Sequence, residues 1–516
     1  MNDPSKKLPR ESASYWRETN KFNRFPSLKE EIKSEIAIVG GGITGLMTAY
    51  RLALHGAKPV VLEASSLTNG TTGHTTAKIT AQHGQIYDEL IGTFGEGRAR
   101  QYYESNIKAK EYVEKIVNEN RIDCDFQLQD AWLYTETIKG KQQLLKEKQA
   151  YDKLGIKSEL KHECPLPFPV EAALKMPDQA QFHPIKFLTW IVQKLEAAGV
   201  RIFENTPVLH LEKGDPVKII TKGPGSVLAE KVIVTSHFPF DDLKGFYFSR
   251  LHPERSYAIA VRTEAPLPDG MFLSVGQPSR SFRWTSSNGE KLALIGGENH
   301  KTGKGPNTMD HFEALKGFAG KHFGIQSIES RWSAQDLTTL DKVPYVGRMT
   351  AGDNHIFVAT GFNKWGMTNS VNAAMLLSDI VSAKYNRYEE LYDPGRNASL
   401  KSSGTFVKEN TDVAVQFVKT HAERGNKSVE DVEPGEGAVV NLDGRRAGAY
   451  RTHEGDLQLI DTTCTHMGCE VEWNEAETSW DCPCHGSRFT TKGEVLEGPA
   501  NLPLKAIDQT AIIEKF

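Results

Sequence analysis

The sequence predicts three layers of organisation: an α/β unit near the start, an antiparallel β-sheet beside it, and a small all-β domain at the end. Three observations carry this. A short apolar strand, a glycine-rich turn and an apolar-periodic helix follow one another from residue 36. Runs such as Tyr257-Ala258-Ile259-Ala260-Val261 and Leu292-Ala293-Leu294-Ile295 read as strands in the middle of the chain. Two boxes, Cys464-Thr465-His466-Met467-Gly468-Cys469 and Cys482-Pro483-Cys484-His485-Gly486-Ser487, hold four of the six cysteines and lie among short strands. A chain of 516 residues is long enough for two or three domains with sizeable cores.

The elements follow in order. Residues 1–33 form a polar lead segment whose Tyr15 and Trp16 are expected to pack on the first domain. Ile36–Val39 is a buried strand, Gly40-Gly41-Gly42-Ile43-Thr44-Gly45 the turn, and the helix runs to about His55 before Gly56. Pro59–Leu62 is a second strand that ends at Glu63, eighteen residues past Gly45. An isolated glycine turn is a weak signal. In this strand–turn–helix–strand context it reads as a Rossmann nucleotide-binding unit. Gly40 makes the tight turn, Gly42 admits a pyrophosphate, Gly45 lets the helix pack closely, and Glu63 accepts from a ribose hydroxyl.

Asn69-Gly70-Thr71-Thr72-Gly73-His74-Thr75-Thr76-Ala77-Lys78 resembles the small-residue loop that wraps the flavin in the D-amino-acid oxidase superfamily, which includes glycine and sarcosine oxidases. Three further segments resemble that family. Phe182-His183-Pro184, a helix and Gly199-Val200 precede its adenine-contacting strand, which here carries Val208. Asp341-Lys342-Val343-Pro344-Tyr345-Val346-Gly347 matches its late signature. Ala359 to Thr368, with Gly361, Gly366 and Met367, matches the loop opening its last FAD-binding helix, expected over Thr368–Lys384. The resemblance spans roughly residues 15–395 and implies FAD, contacted by Gly40, Gly42, Gly45, Glu63, Thr71, Thr72, His74, Val208, Gly361, Gly366 and Met367. The last helix would direct its N-terminus at the flavin. Gly70 to His74 is also similar to the segment of dimethylglycine and sarcosine dehydrogenases in which the His is covalently bonded to FAD. Gly73 stands where that family has Trp, so a non-covalent loop histidine is the favoured reading.

The C-terminal boxes each offer one thiolate and one imidazole, with fifteen residues between His466 and Cys482. Two Cys and two His suit a Rieske [2Fe–2S] centre, and they also suit tetrahedral zinc. The boxes resemble those of the Rieske proteins of cytochrome bc and b6f complexes. That resemblance implies Cys464, His466, Cys482 and His485 as cluster ligands and Cys469–Cys484 as a disulfide between the ligand loops. It also implies that the Ser487 hydroxyl raises the cluster potential, and that Gly498-Pro499-Ala500 covers the cluster. Phe489 stands where the family often has Tyr, so a lower potential than in the respiratory proteins is expected. The His466 and His485 edge is expected to be exposed as the electron exit.

These landmarks place an FAD-dependent oxidoreductase domain at 34–385. Its FAD-binding pieces lie near 34–85, 165–240 and 330–385, with a substrate layer near 86–164 and 241–329. A linker over 386–426 and a Rieske domain over 427–516 follow. The linker is expected to carry a short helix at Asp412–Glu423 with Val413, Phe417 and Val418 on one face. Net charge is −4, which implies no nucleic-acid surface, and no membrane span or secretory signal is read, so a cytoplasmic protein is expected. Cys124 and Cys164 read as structural thiols.

No second glycine motif for a pyridine nucleotide is present. The expected function is therefore a dehydrogenase. It would take a hydride from an amine or amino acid onto FAD and pass electrons singly through the cluster to a ferredoxin, cytochrome or quinone. An oxidase using O₂ directly, with a structural or regulatory Rieske domain, and a non-catalytic electron-transfer module are the alternatives. Arg283 is the candidate substrate contact, and Tyr257, Trp332 and Trp365 are expected near the flavin.

Overall fold

The computed structural model describes residues 4–241, 245–305, 307–396, 400–422, 425, 427–442 and 444–508. Its first sheet has the order Tyr345–Arg348, Ile356–Thr360, Ser226–Val234, Glu31–Val39, Val60–Leu62, Arg201–Phe203, with Val208–Glu212 and Val217–Thr221 as an antiparallel extension. The pairs from Ile356–Thr360 through to Arg201–Phe203 are parallel. Ile38, Val61 and Ile233 are fully buried, as expected for strands covered on both faces. Helices Ile43–Ala53 and Gly366–Val381 pack together on one face. The last helix is set about two residues earlier than expected and stops short of Lys384.

The second sheet has nine strands. Its main order is Ser327–Thr339, Leu251–Arg262, Glu290–Lys301, Arg280–Ser287, Met271–Ser274, Gln127–Thr135, Ala172–Gln181, Lys78–Ile79. One pair in it, Met271–Ser274 with Gln127–Thr135, is parallel. Three of its strands, Lys78–Ile79, Ala172–Gln181 and Ser327–Thr339, lie in segments the sequence reading assigns to the FAD-binding pieces. Strand propensity places a strand but not the sheet it joins, because partners are chosen by tertiary packing. The 86–164 segment is mostly helical, in Tyr87–Asn120, which is broken by a kink at Gly95 (φ +80°), and Ile138–Leu154.

The C-terminal domain has a three-stranded sheet (Gly437–Leu442, Arg445–Arg451, Leu457–Ile460) and a four-stranded one (Glu472–Asn474, Ser479–Asp481, Arg488–Phe489, Val495–Glu497). Its core gathers Ile460, Val471, Trp480, Phe489 and the cysteines of both boxes. The preceding helix is Leu400–Ala422, twelve residues longer at its start than expected. Val413 packs against the C-terminal core, whereas Val418 is exposed, so the proposed apolar face holds only in part. Among the described residues no helix is long and apolar enough to cross a membrane.

Candidate functional site

The glycine turn is tight for identifiable reasons. A Cβ on Gly45 would lie 2.0 Å from the Gly40 carbonyl oxygen, and one on Gly40, whose φ is +116°, would lie 2.6 Å from the Thr235 carbonyl oxygen. Gly42 caps the helix Ile43–Ala53, and the Ile43 N–H donates to the Thr72 hydroxyl at 3.1 Å. Glu63 accepts from the N–H groups of Gly41 (2.7 Å) and Ser65 (2.9 Å). The helix N-terminus, Thr72 and Glu63 thus form one cradle with unsaturated donors, suited to a dinucleotide. Val208 opens a strand on the sheet extension and is buried. Gly361, with φ +75°, has no room for a side chain beside Thr339, and Met367 is buried in the first turn of the last helix behind Gly366.

Thr71–His74 is a single 3-10 turn held from both sides. Trp16 donates to the Thr75 carbonyl at 2.7 Å, Trp332 to the His74 carbonyl at 2.9 Å, and the Ser14 hydroxyl to the Gly73 carbonyl. The lead segment therefore packs where Tyr15 and Trp16 were expected to. A Cβ on Gly73 would meet the Thr68 carbonyl oxygen at 2.4 Å and Arg17 at 2.8 Å, which is why glycine replaces Trp here. Glu63, His74 and Lys78 are only half-buried, yet burial is the largest influence on each. It pushes the Glu63 carboxyl up, lowers the His74 imidazole and brings Lys78 down to about 7.

Arg283 is engaged within the protein. It is 1% exposed; its guanidinium donates to the carbonyls of Thr76, Trp284 and Phe182, and it lies over the Trp16 ring. Burial brings it down to about 9. It is a strut between the loop and the sheet, which corrects its reading as a substrate contact. Tyr257 also differs from expectation: it stacks with His300 and His311 on the opposite face of the sheet. Trp365 stacks on His83 at 4.9 Å, beside the start of the last helix. Lys78, missed in the sequence, crosses the sheet to donate to the Phe272 carbonyl (2.9 Å) and the Ser281 hydroxyl (2.7 Å). No spacing rule marks a lysine for such a place.

In the C-terminal domain the two boxes form facing loops. Cys464 and Cys482 are buried free thiols, hydrogen-bonded to one another, so that one is lowered to about 6 and the other raised. His466 and His485 are 4.9 Å apart between ring centroids. Burial lowers His485 to about 3, which keeps it neutral, and its buried Nδ1 has no hydrogen-bond partner. A neutral imidazole with an orphaned nitrogen beside two buried thiols fits a metal centre. Cys469 and Cys484 form a disulfide with Cα atoms 6.5 Å apart. Three sulfurs, those of Cys469, Cys482 and Cys484, lie close enough together for a metal. The disulfide engages two of these, which leaves Cys464, Cys482 and the two imidazoles as the available donors. Ser487 is fully buried, accepts from the Ala500 N–H at 3.0 Å and hydrogen-bonds the Cys464 sulfur.

The histidine edge is less exposed than expected, with His466 half-buried and His485 buried. His485 is 4% exposed, and Phe248 of the first domain lies 5.8 Å from it and 6.2 Å from His466. Phe238 lies 6.5 Å from His466. The sequence has no signal for this, because it arises from docking of two domains. The dock is also ionic and polar. Arg255, 1% exposed, meets Glu477 at 3.5 Å, and Glu477 meets Arg488, which also holds Asp481 and Glu497. Arg331 donates to the Ala476 carbonyl at 2.8 Å.

Known proteins match this arrangement. The FAD dependent oxidoreductase family model matches residues 35–380, and the Rieske [2Fe-2S] domain model matches 426–508. A Bacillus subtilis protein named as a Rieske 2Fe-2S iron-sulfur protein, YhfW, is 47% identical over 96% of this chain and 97% of its own length. The gamma-glutamylputrescine oxidoreductase of Escherichia coli is 24% identical over 73% of this chain and 90% of its own. The crystal structure of glycine oxidase from Geobacillus kaustophilus superposes with a TM-score of 0.60 at 18% identity, covering 71% of this chain and all of that one.

Proposed function

Because the chain belongs to the FAD dependent oxidoreductase family and carries a Rieske [2Fe–2S] domain, we propose that it is a dehydrogenase of amines or amino acids. In this reading Gly40, Gly42, Gly45, Glu63, Thr71, Thr72, His74, Val208, Gly361, Gly366 and Met367 hold FAD, and Cys464, His466, Cys482 and His485 hold the cluster. FAD held there would supply hydride acceptance from the CH–NH carbon of the substrate, and a cluster held by the four donors would supply one-electron relay to an external acceptor, with the protons going to solvent. The chain's own residues bind and exclude water. Trp16, Trp332 and Arg283 fix the segment from Thr71 to Thr76 through the carbonyls of Thr75, His74 and Thr76. The Ser487 hydroxyl would donate to a bridging sulfide and favour the reduced cluster. A cytoplasmic location, with a ferredoxin, cytochrome or quinone as acceptor, completes the reading.

The observation that supports it best is the turning of the His466–His485 edge onto Phe238 and Phe248 of the FAD domain. In this reading a one-electron centre docked there would receive electrons from within the chain. The test is an anaerobic screen of amines and amino acids that reads flavin bleaching and the EPR signal of reduced cluster in the same samples. One compound that produces both supports the path. Bleaching with the cluster left oxidised, in every active compound, rejects it.

A further inference from the structure

The two redox loops are separated by one β-strand, Ser327–Thr339, and its alternation divides them. Trp332 points to the His74 carbonyl, and Asp336 on the same face faces Lys364 in the loop before the last helix. On the other face Arg331 reaches the Ala476 carbonyl, Ser333 holds Arg255, and Gln335 reaches the second cysteine box. Gln335 is the residue of this strand that bonds to both loops. Its carbonyl accepts from the Thr71 hydroxyl at 3.1 Å, and its side-chain amide donates to the Gly486 carbonyl at 3.0 Å, next to His485. Its amide oxygen accepts from the Thr302 hydroxyl at 2.7 Å. Gln335 is 1% exposed and Thr302 is fully buried.

The surroundings are built to this bond. A Cβ on Gly486, whose φ is +79°, would meet the Gln335 amide oxygen and Pro253 at 2.7 Å. A Cβ on Gly303 would meet Pro483 at 2.8 Å. Glycine thus stands where the second box meets the Gln335 and Pro253 side chains and where the FAD domain meets the Pro483 backbone, so nothing bulkier intervenes. The amide is bonded at both ends, and the Gly486 carbonyl, which can only accept, fixes the NH₂ end toward the second box.

We infer that Gln335 is a positioning residue: a latch that holds the loop Cys482–Ser487 in register with the loop Thr71–His74 across a single strand, and so sets the rate of flavin-to-cluster electron transfer. The inference rests on the proposed function for its kinetic half; the latch itself does not depend on it. Each transfer oxidises the flavin by one electron and reduces one ferric iron of the cluster to ferrous. Two transfers serve one substrate, and the external acceptor reoxidises the cluster between them.

The test compares the holoprotein with Gln335→Met, which keeps the length and removes both polar ends. The flavin is reduced by anaerobic photoreduction, cluster reduction is followed by freeze-quench EPR, and hydrogen exchange is read over 482–487 and 301–304. Loss of the amide leaves the Gly486 carbonyl buried and unpaired, so the docked loop is disfavoured roughly tenfold. Expected are faster exchange in both segments, cluster reduction slowed by about the same factor, and an unchanged EPR signal when dithionite reduces the cluster directly. Unchanged exchange in Gln335→Met overturns the latch. Faster exchange with unchanged transfer overturns its kinetic role. Absence of transfer in the unmodified protein sinks the dehydrogenase relay, while the exchange data still decide the latch. Should Gln335→Met not fold, Gln335→Leu is read in the same way, since it also removes the donor to Gly486.

Discussion

Gly45 and Gly97 show how differently two glycines of one chain behave. Gly45 has the Gly40 carbonyl oxygen 2.0 Å from where its Cβ would be, whereas nothing lies within 4 Å at Gly97 in the helix Tyr87–Asn120. Gly45→Ala should force the turn open at a cost of roughly 2 kcal/mol and yield protein that elutes from gel filtration without flavin absorbance. Gly97→Ala should keep its flavin and gain about 0.5–1 kcal/mol. Equal flavin retention in the two variants would contradict the reading of the turn. The role of Gly45 is legible from its spacing to Gly40 and Glu63. That of Gly73 is not, because the atoms excluding a side chain there come from Thr68 and from Arg17 in the lead segment.

Among the elements, the helix Tyr87–Asn120 has an unusual N-terminal cap. Glu147, from the helix Ile138–Leu154, accepts from the N–H groups of Tyr87 (2.9 Å) and Asp88 (3.1 Å). Burial pushes its carboxyl up from 4.5 to about 7, against those two bonds. A carboxyl raised in the folded state binds its proton more tightly there than in the unfolded chain. Its contribution is therefore fully present below 4.5 and is lost as pH rises through about 7. The loss amounts to about 3 kcal/mol as an order of magnitude. Urea midpoints taken near pH 5 and near pH 8 should differ less in Glu147→Gln than in the unmodified protein. A slope unchanged by the substitution removes Glu147 as its source. The linker helix Leu400–Ala422 makes a related point about elements. Lys301 and Lys304 both pair with its Asp412, and the helix is held between domains by contacts that its own periodicity does not announce.

Across the whole molecule, the two domains are joined by buried charge as well as by packing. Glu477 lies between Arg255 of the FAD domain and Arg488 of its own domain. Removing one partner of a buried ion pair typically costs about 3–5 kcal/mol, because the other charge is left desolvated. Since Arg488 remains beside Glu477, Arg255→Met is expected to weaken docking by the lower end, roughly 3 kcal/mol. The linker should then be cut faster by trypsin, while the dithionite-reduced EPR signal stays that of the intact cluster. An unaltered digestion rate would show that packing at Phe238 and Phe248 holds the domains without the ion pair.

Local chemistry is readable without coordinates: the strand–turn–helix with Glu63 and the Cys469–Cys484 pair each reside in a few residues at short spacing, as do the proposed flavin loop and the four proposed metal donors. Such motifs survive in one dimension because the ligand itself demands that spacing. Sheet membership of Ser327–Thr339, the strut role of Arg283, the inward turn of His485 and the reach of Gln335 to Gly486 were not readable. Each depends on residues tens to hundreds of positions apart meeting across a packed interface, as Gln335 and Gly486 do over a separation of 151. Side-chain periodicity says that a strand has two faces; only docking of the second domain assigns one face to the flavin loop and the other to the cluster.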